Sequence, residues 1–162
     1  MTKLSLRQIA LAGLIAAVYV LLTLVLMPLS FGVYQVRIAE ALTVLPFLTG
    51  SAVPGLFIGC LLANIFGGMG WVDIVFGSLI TLLAALATYG IRRKFKDSPL
   101  GLYLAPLPPV LFNAFGVSVY LAPLLNMNYW FSVQMIGLGQ LISCYVIGLP
   151  LLILLRKRQI FN

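Results

Sequence analysis

The side chains able to do chemistry in this chain are few, and two of them lie three positions apart. The stretch YQVRIAEALTVLPFL, residues 34 to 48, sets Arg37 and Glu40 inside an otherwise apolar run. Asp73 follows in WVDIVFGSLI, and Asp97 completes the 3 carboxylates of the chain. An ionisable group at membrane depth is costly and faces a bundle interior or a water-filled cavity, so its presence needs a reason. Glu40 and Asp73 suit a ligand that offers N–H donors or a cation, because hydrogen bonds to an ionised carboxylate are about twice as strong as neutral ones. Arg37 would then orient Glu40 or touch the ligand itself. Structural uses stand beside these. Residues at i and i+3 meet on a helix surface, so Arg37 and Glu40 can pair with each other, and Asp73 precedes IVFGSLITLLAALA as a helix N-cap would.

Amides and aromatics gather around the same positions. Asn64, Asn113 and Gln134 can contact a ligand or bond neighbouring helices, a frequent use of buried amides in membranes. Trp71, Tyr120, Tyr129 and Trp130 are either interfacial anchors or the walls of a slot for a flat heterocycle. The chain has no histidine, hence no H-E-x-x-H and no plausible zinc set, and it lacks G-x-S-x-G and a closely spaced carboxylate pair. It also lacks the G-x-x-x-x-G-K-[ST] phosphate loop, so ATP hydrolysis by this chain is not expected. Neither catalysis nor a metal or other cofactor is expected. Cys60 and Cys144 lie in apolar spans and read as helix packing.

The elements that must position these residues are membrane helices. The chain is 62% hydrophobic and 8% charged over 162 residues, with a mean hydropathy of +1.14. A soluble domain carries about a quarter charged residues. Runs such as IALAGLIAAVYVLLTLVLM (9 to 27) and IGLGQLISCYVIGLPLLILL (136 to 155) approach the ~20 residues needed to cross hydrocarbon. The first is too long for a signal-peptide core and stays as a helix. The net charge of +7 is no nucleic-acid signature, because the basic residues other than Arg37 fall into three clusters that abut apolar spans: Lys3 with Arg7, Arg92 to Lys96, and Arg156 to Arg158. That is a topology signal.

If all three clusters are cytoplasmic, an even number of crossings separates each from the next. Three apolar segments precede the middle cluster, so one must turn back, and TGSAVPG (49 to 55) marks the turn. The expectation is an all-α integral membrane protein with six transmembrane helices, near 8–29, 38–49, 54–66, 72–91, 103–123 and 130–155. Both termini are then cytoplasmic and residues 1 to 162 form a single membrane domain. Pro106, Pro108 and Pro109 predict an irregular start to the fifth helix. Ser98 and Gln159 fall inside, and Gln35 and Asn128 outside. The first helix also carries small-xxx-small rows, Ala12 with Ala16 and Gly13 with Ala17, which suit close packing within the chain or a partner protein.

The stretches YQVRIAEALTVLPFL, AVPGLFIGCLLANIFGG and DIVFGSLITLLAALATYGIRRK, with six short helices and a small-residue first helix, resemble the QueT family over nearly the whole chain. These are substrate-binding S components of energy-coupling factor transporters. The resemblance implies uptake of a queuosine precursor, preQ1 or a related deazapurine, across a bacterial plasma membrane through a site that opens outward. It also implies partners: a transmembrane coupling protein docking on Ala12 and Ala16, and two cytoplasmic ATPases. Membrane lipid surrounds such a protein, and no nucleic acid is implied. A deazaguanine presents adjacent N–H donors to one carboxylate, and an aminomethyl cation suits a second, with either order open for Glu40 and Asp73. Another vitamin, or a self-sufficient oligomeric carrier, remains the alternative, since fold does not fix function.

Overall fold

The computed structural model describes residues 5 to 31, 36 to 158 and 160, so Gln35 and Gln159 lie outside the described residues. Helix α1 (Leu6–Val25) begins at a reciprocal cap: Ser5 Oγ accepts the Gln8 N–H while the Gln8 side chain accepts the Ser5 N–H. After a short turn at Met27–Ser30 come α2 (Ile38–Phe47), α3 (Ala52–Gly67), α4 (Asp73–Phe95), α5 (Pro99–Leu124) and α6 (Tyr129–Lys157). Helices α1, α4, α5 and α6 are long and apolar enough to cross a membrane, and α2 and α3 are shorter apolar helices.

The long apolar segment divides where its composition places a turn, between Phe47 and Ala52. Pro54 and Gly55 nevertheless belong to the first turn of α3. A proline there loses only an N–H that the helix start leaves unpaired anyway. Gly55 serves close approach: a Cβ built on it would lie 2.7 Å from the Ala12 carbonyl oxygen, and one on Gly59 would lie 3.1 Å from Ala16 Cα. Helices α1 and α3 therefore touch backbone to backbone, with Ala12 and Ala16 on the seam. Ala16 is buried and Ala12 half-buried, whereas Gly13 and Ala17 are exposed.

Helix α2 winds as a 3-10 helix over ten residues, so at about 2 Å rise per residue it covers ~20 Å, short of the ~30 Å hydrocarbon core. Two features oppose ordinary α winding. Pro46 has no N–H to offer, and the Thr43 hydroxyl occupies the Glu40 carbonyl. Residues Ala39 to Phe47 are all buried, as required of irregular backbone at membrane depth. Wider turns interrupt three of the long helices, at Asp73–Gly77 in α4, Phe112–Val117 in α5 and Ile142–Gly148 in α6. Helix α5 also breaks at Ala105 and Pro106, where the prolines cluster.

Basic residues occupy the last turns of α4 (Arg92, Arg93, Lys94) and α6 (Arg156, Lys157), where they complement the helix dipoles. Arg156 Nη2 donates to the Lys96 carbonyl at 3.0 Å, so these two clusters share one end of the bundle. The burial pattern is that of a protein solvated by lipid. Leu14, Val119 and Val146 are exposed while Arg37, Glu40, Asn64, Asp73 and Asn113 are buried. In water this arrangement would expose apolar surface far beyond what a soluble monomer shows.

Candidate functional site

Arg37 is the residue before α2, with extended backbone (φ −83°, ψ 98°). The helical neighbourhood of i and i+3 therefore does not apply, and the Arg37–Glu40 pair that the spacing allows is not the ion pair that forms. Arg37 Nη2 instead lies 3.4 Å from Asp73 Oδ2 on α4, the ion pair found among the described residues. Its Nε donates to the Ser30 carbonyl at 3.3 Å, its Nη1 lies 4.0 Å from Cys60 Sγ, and the guanidinium stands 4.7 Å over the Phe31 ring. All three guanidinium nitrogens thus have partners other than Glu40.

Glu40, 1% exposed, is held by neutral donors from two other helices. The Tyr19 hydroxyl of α1 donates to Oε1, and Asn113 Nδ2 of α5 donates to Oε2 at 3.2 Å. Asp73 is fully buried and is not an N-cap. The Ile74 N–H already bonds the Gly70 carbonyl, so Asp73 lies inside the first turn and its carboxylate caps no backbone N–H. Its Oδ1 accepts the Tyr120 hydroxyl at 2.6 Å. Asn64, also fully buried, donates through Nδ2 to the Asp73 carbonyl at 3.0 Å and lies 3.5 Å from Cys60 Sγ. Gly77 closes this corner, since a Cβ there would lie within 3.0 Å of Asn64 Nδ2, Asp73 Oδ1 and the Tyr120 hydroxyl.

Six of the residues singled out in the sequence thus fall into two buried hydrogen-bonded sets, Arg37, Asn64, Asp73 and Tyr120 in one and Glu40 with Asn113 in the other, joined into one network by the Glu40 N–H donating to the Arg37 carbonyl at 2.9 Å. Four others do not join them. Trp71 and Trp130 are 70% and 64% exposed, and Tyr129 stands edge-on to Trp130 at 5.3 Å, an arrangement suited to interfacial anchors. Gln134 lies on the exposed side of α6. Residues read as packing enter instead. Tyr19 bonds Glu40, and Cys60 receives the Thr81 hydroxyl at 3.3 Å beside Arg37 and Asn64. Cys144 approaches the Glu40 carbonyl at 3.5 Å. Tyr19 was findable: it continues the Ala12, Ala16 row at helical spacing, on the side of α1 that the small residues turn toward the protein.

Glu40, Asp73, Asn113 and Cys144 all sit on stretches of 3-10 or wide-turn winding. Such interruptions occur frequently at functional sites, because they re-aim side chains and free backbone groups. Among the described residues, the network holds one cation against two carboxylates.

No solved structure matches the chain. A curated relative, "Queuosine precursor transporter QueT" of Lactococcus lactis subsp. cremoris (strain MG1363), is 34% identical over 99 residues, which cover 60% of this chain and 58% of that protein. The match thus spans little more than half of the relative's length. The family model described as QueT transporter matches residues 9 to 157. With nearly every described element inside that span, from the first helix to the last, the chain belongs to the QueT transporter family, a family of multi-pass membrane transporters rather than enzymes.

Proposed function

We propose that this chain is the substrate-binding S component of an energy-coupling factor transporter in a bacterial plasma membrane, and that its substrate is a queuosine precursor, preQ1 or a related deazapurine. The observation that carries the reading is the buried network of Arg37, Glu40, Asp73, Asn64 and Asn113, because a donor-rich heterocycle with a cationic arm supplies the hydrogen bonds and charge that two carboxylates seek. The name of the curated relative supports the same substrate class. The test is a binding titration of the purified protein with preQ1, queuine and guanine side by side. Saturable binding of preQ1 or queuine is expected, and no binding by any of the three sinks the reading.

The transporter reading includes six crossings with both ends cytoplasmic, α2 and α3 serving as a short pair that enters and returns. The shared end of the Arg92–Lys96 and Arg156–Arg158 clusters supports it. Single cysteines at Ser98 and Gly50 should label from the cytoplasm and one at Asn128 from outside; the native Cys60 and Cys144 are fully buried and add no background. Labelling of Gly50 from outside would overturn the pairing of α2 with α3. The coupling protein and two ATPases remain the proposed partners, with α1 as the docking helix. On that helix Ala12 and Ala16 face Gly55 and Gly59, and the small residues left exposed are Ala10, Gly13 and Ala17.

A further inference from the structure

We infer that the two buried carboxylates divide their work: Glu40 receives the positive arm of the ligand, Asn64 reads a ring N–H, and Asp73 holds Arg37 in place. This rests on the substrate class proposed above and assigns its parts. Asp73 already has a cation, with Arg37 Nη2 at 3.4 Å, and its other oxygen takes the Tyr120 hydroxyl at 2.6 Å. Glu40 has only the neutral donors of Tyr19 and Asn113. A carboxylate offers about four lone-pair sites, so two on Glu40 remain for a ligand ammonium. Glu40 is therefore the buried carboxylate with no cation at ion-pair distance, and such a group is best satisfied by a ligand that brings one.

Asn64 makes the second demand. Its Oδ1 is buried and has no hydrogen-bond partner, one of three such side-chain atoms among the described residues, with Ser30 Oγ and Ser143 Oγ. The serine hydroxyls rotate and can reach carbonyls of their own helix turn. The amide of Asn64 cannot be relieved that way, because Nδ2 is fixed on the Asp73 carbonyl at 3.0 Å and turning the group would set Oδ1 against that carbonyl. A buried acceptor left without a donor keeps the cost of its lost hydration, which an N–H on the ligand removes. Ring donors at Asn64 and a cation at Glu40 together select an amine-bearing deazaguanine over neutral analogues of the same ring.

The experiment compares preQ1 with its neutral 7-cyano analogue, which keeps the ring and loses the charge. Wild type is expected to prefer preQ1 by about tenfold or more, the difference between a charge-assisted and an ordinary contact. Glu40→Gln should abolish that preference by weakening preQ1 alone, the retained affinity for the cyano analogue showing that the variant is folded. Glu40→Asp, which keeps the charge, and the double variant Arg37→Gln with Asp73→Asn, which removes both charges of the pair, should both retain the preference. Asn64→Leu should weaken both ligands alike. Equal affinities in wild type, joint loss of both ligands in Glu40→Gln, loss of the preference in the Arg37→Gln with Asp73→Asn double variant, or unchanged binding in Asn64→Leu overturns the assignment. Binding of neither ligand, nor of queuine, to wild type overturns the proposed substrate itself.

Discussion

Arg37→Gln is expected to destabilise the protein by about 3 to 5 kcal/mol, read as a lowered midpoint of thermal unfolding in detergent. Removing one partner of a buried ion pair leaves the other charge uncompensated, and here that charge is Asp73, fully buried with the guanidinium 3.4 Å away. The double mutant decides which carboxylate depends on Arg37. Arg37→Gln with Asp73→Asn should recover most of the loss, because both charges go together, while Arg37→Gln with Glu40→Gln should recover little. Sites in one network couple, and only such a cycle apportions the energy. Recovery by the Glu40 double mutant instead would mean that the neighbour in sequence, rather than the one across the fold, is the partner.

The seam between α1 and α3 gives the second large effect. Gly55→Ala places a Cβ 2.7 Å from the Ala12 carbonyl oxygen and 3.2 Å from its Cα. Backbone cannot rotate away as a side chain can, so the helices must part, at a cost of about 1 to 3 kcal/mol. Parting them also draws Tyr19 from Glu40, so ligand affinity should fall with stability. Gly13→Ala is the control: a Cβ there meets nothing within 4 Å. An alanine in a helix interior gains roughly 0.5 to 1 kcal/mol over glycine, so the two substitutions, on one seam and off it, should change the unfolding midpoint in opposite directions. Equal small effects from both would mean that α1 and α3 are not in backbone contact.

The outline of the fold was legible because lipid imposes a simple rule on sequence. Backbone groups in hydrocarbon must bond internally, so apolar runs of sufficient length are helices, and the turn at 48 to 51 was readable from its glycine, serine and proline neighbourhood. The meeting of Glu40, Asp73, Asn64 and Asn113 was also within reach, since buried polar groups on different membrane helices have few places to go except toward one another. Trp71 and Trp130 were ambiguous in sequence because an aromatic at the interface and an aromatic lining a slot have the same local signature, and only their exposure separates the two. Cys60 was invisible as a site residue because a thiol is unremarkable in an apolar helix until a partner is known.

The sequence by itself determined that this is an all-helical membrane protein of the QueT family with a small set of buried ionisable groups. Those conclusions depend on composition, charge placement and family pattern, which are local or additive along the chain. The tertiary structure decided who pairs with whom. Arg37 joins Asp73, 36 positions away, rather than Glu40 at three, because the residue before α2 is extended and no helical register links it to the first turn. The 3-10 winding of α2 and the wide turns around Asp73, Asn113 and Cys144 were likewise undetermined by spacing. Side-chain direction follows the winding of the backbone, and a regular helical spacing read along the sequence does not register where that winding departs from the α form.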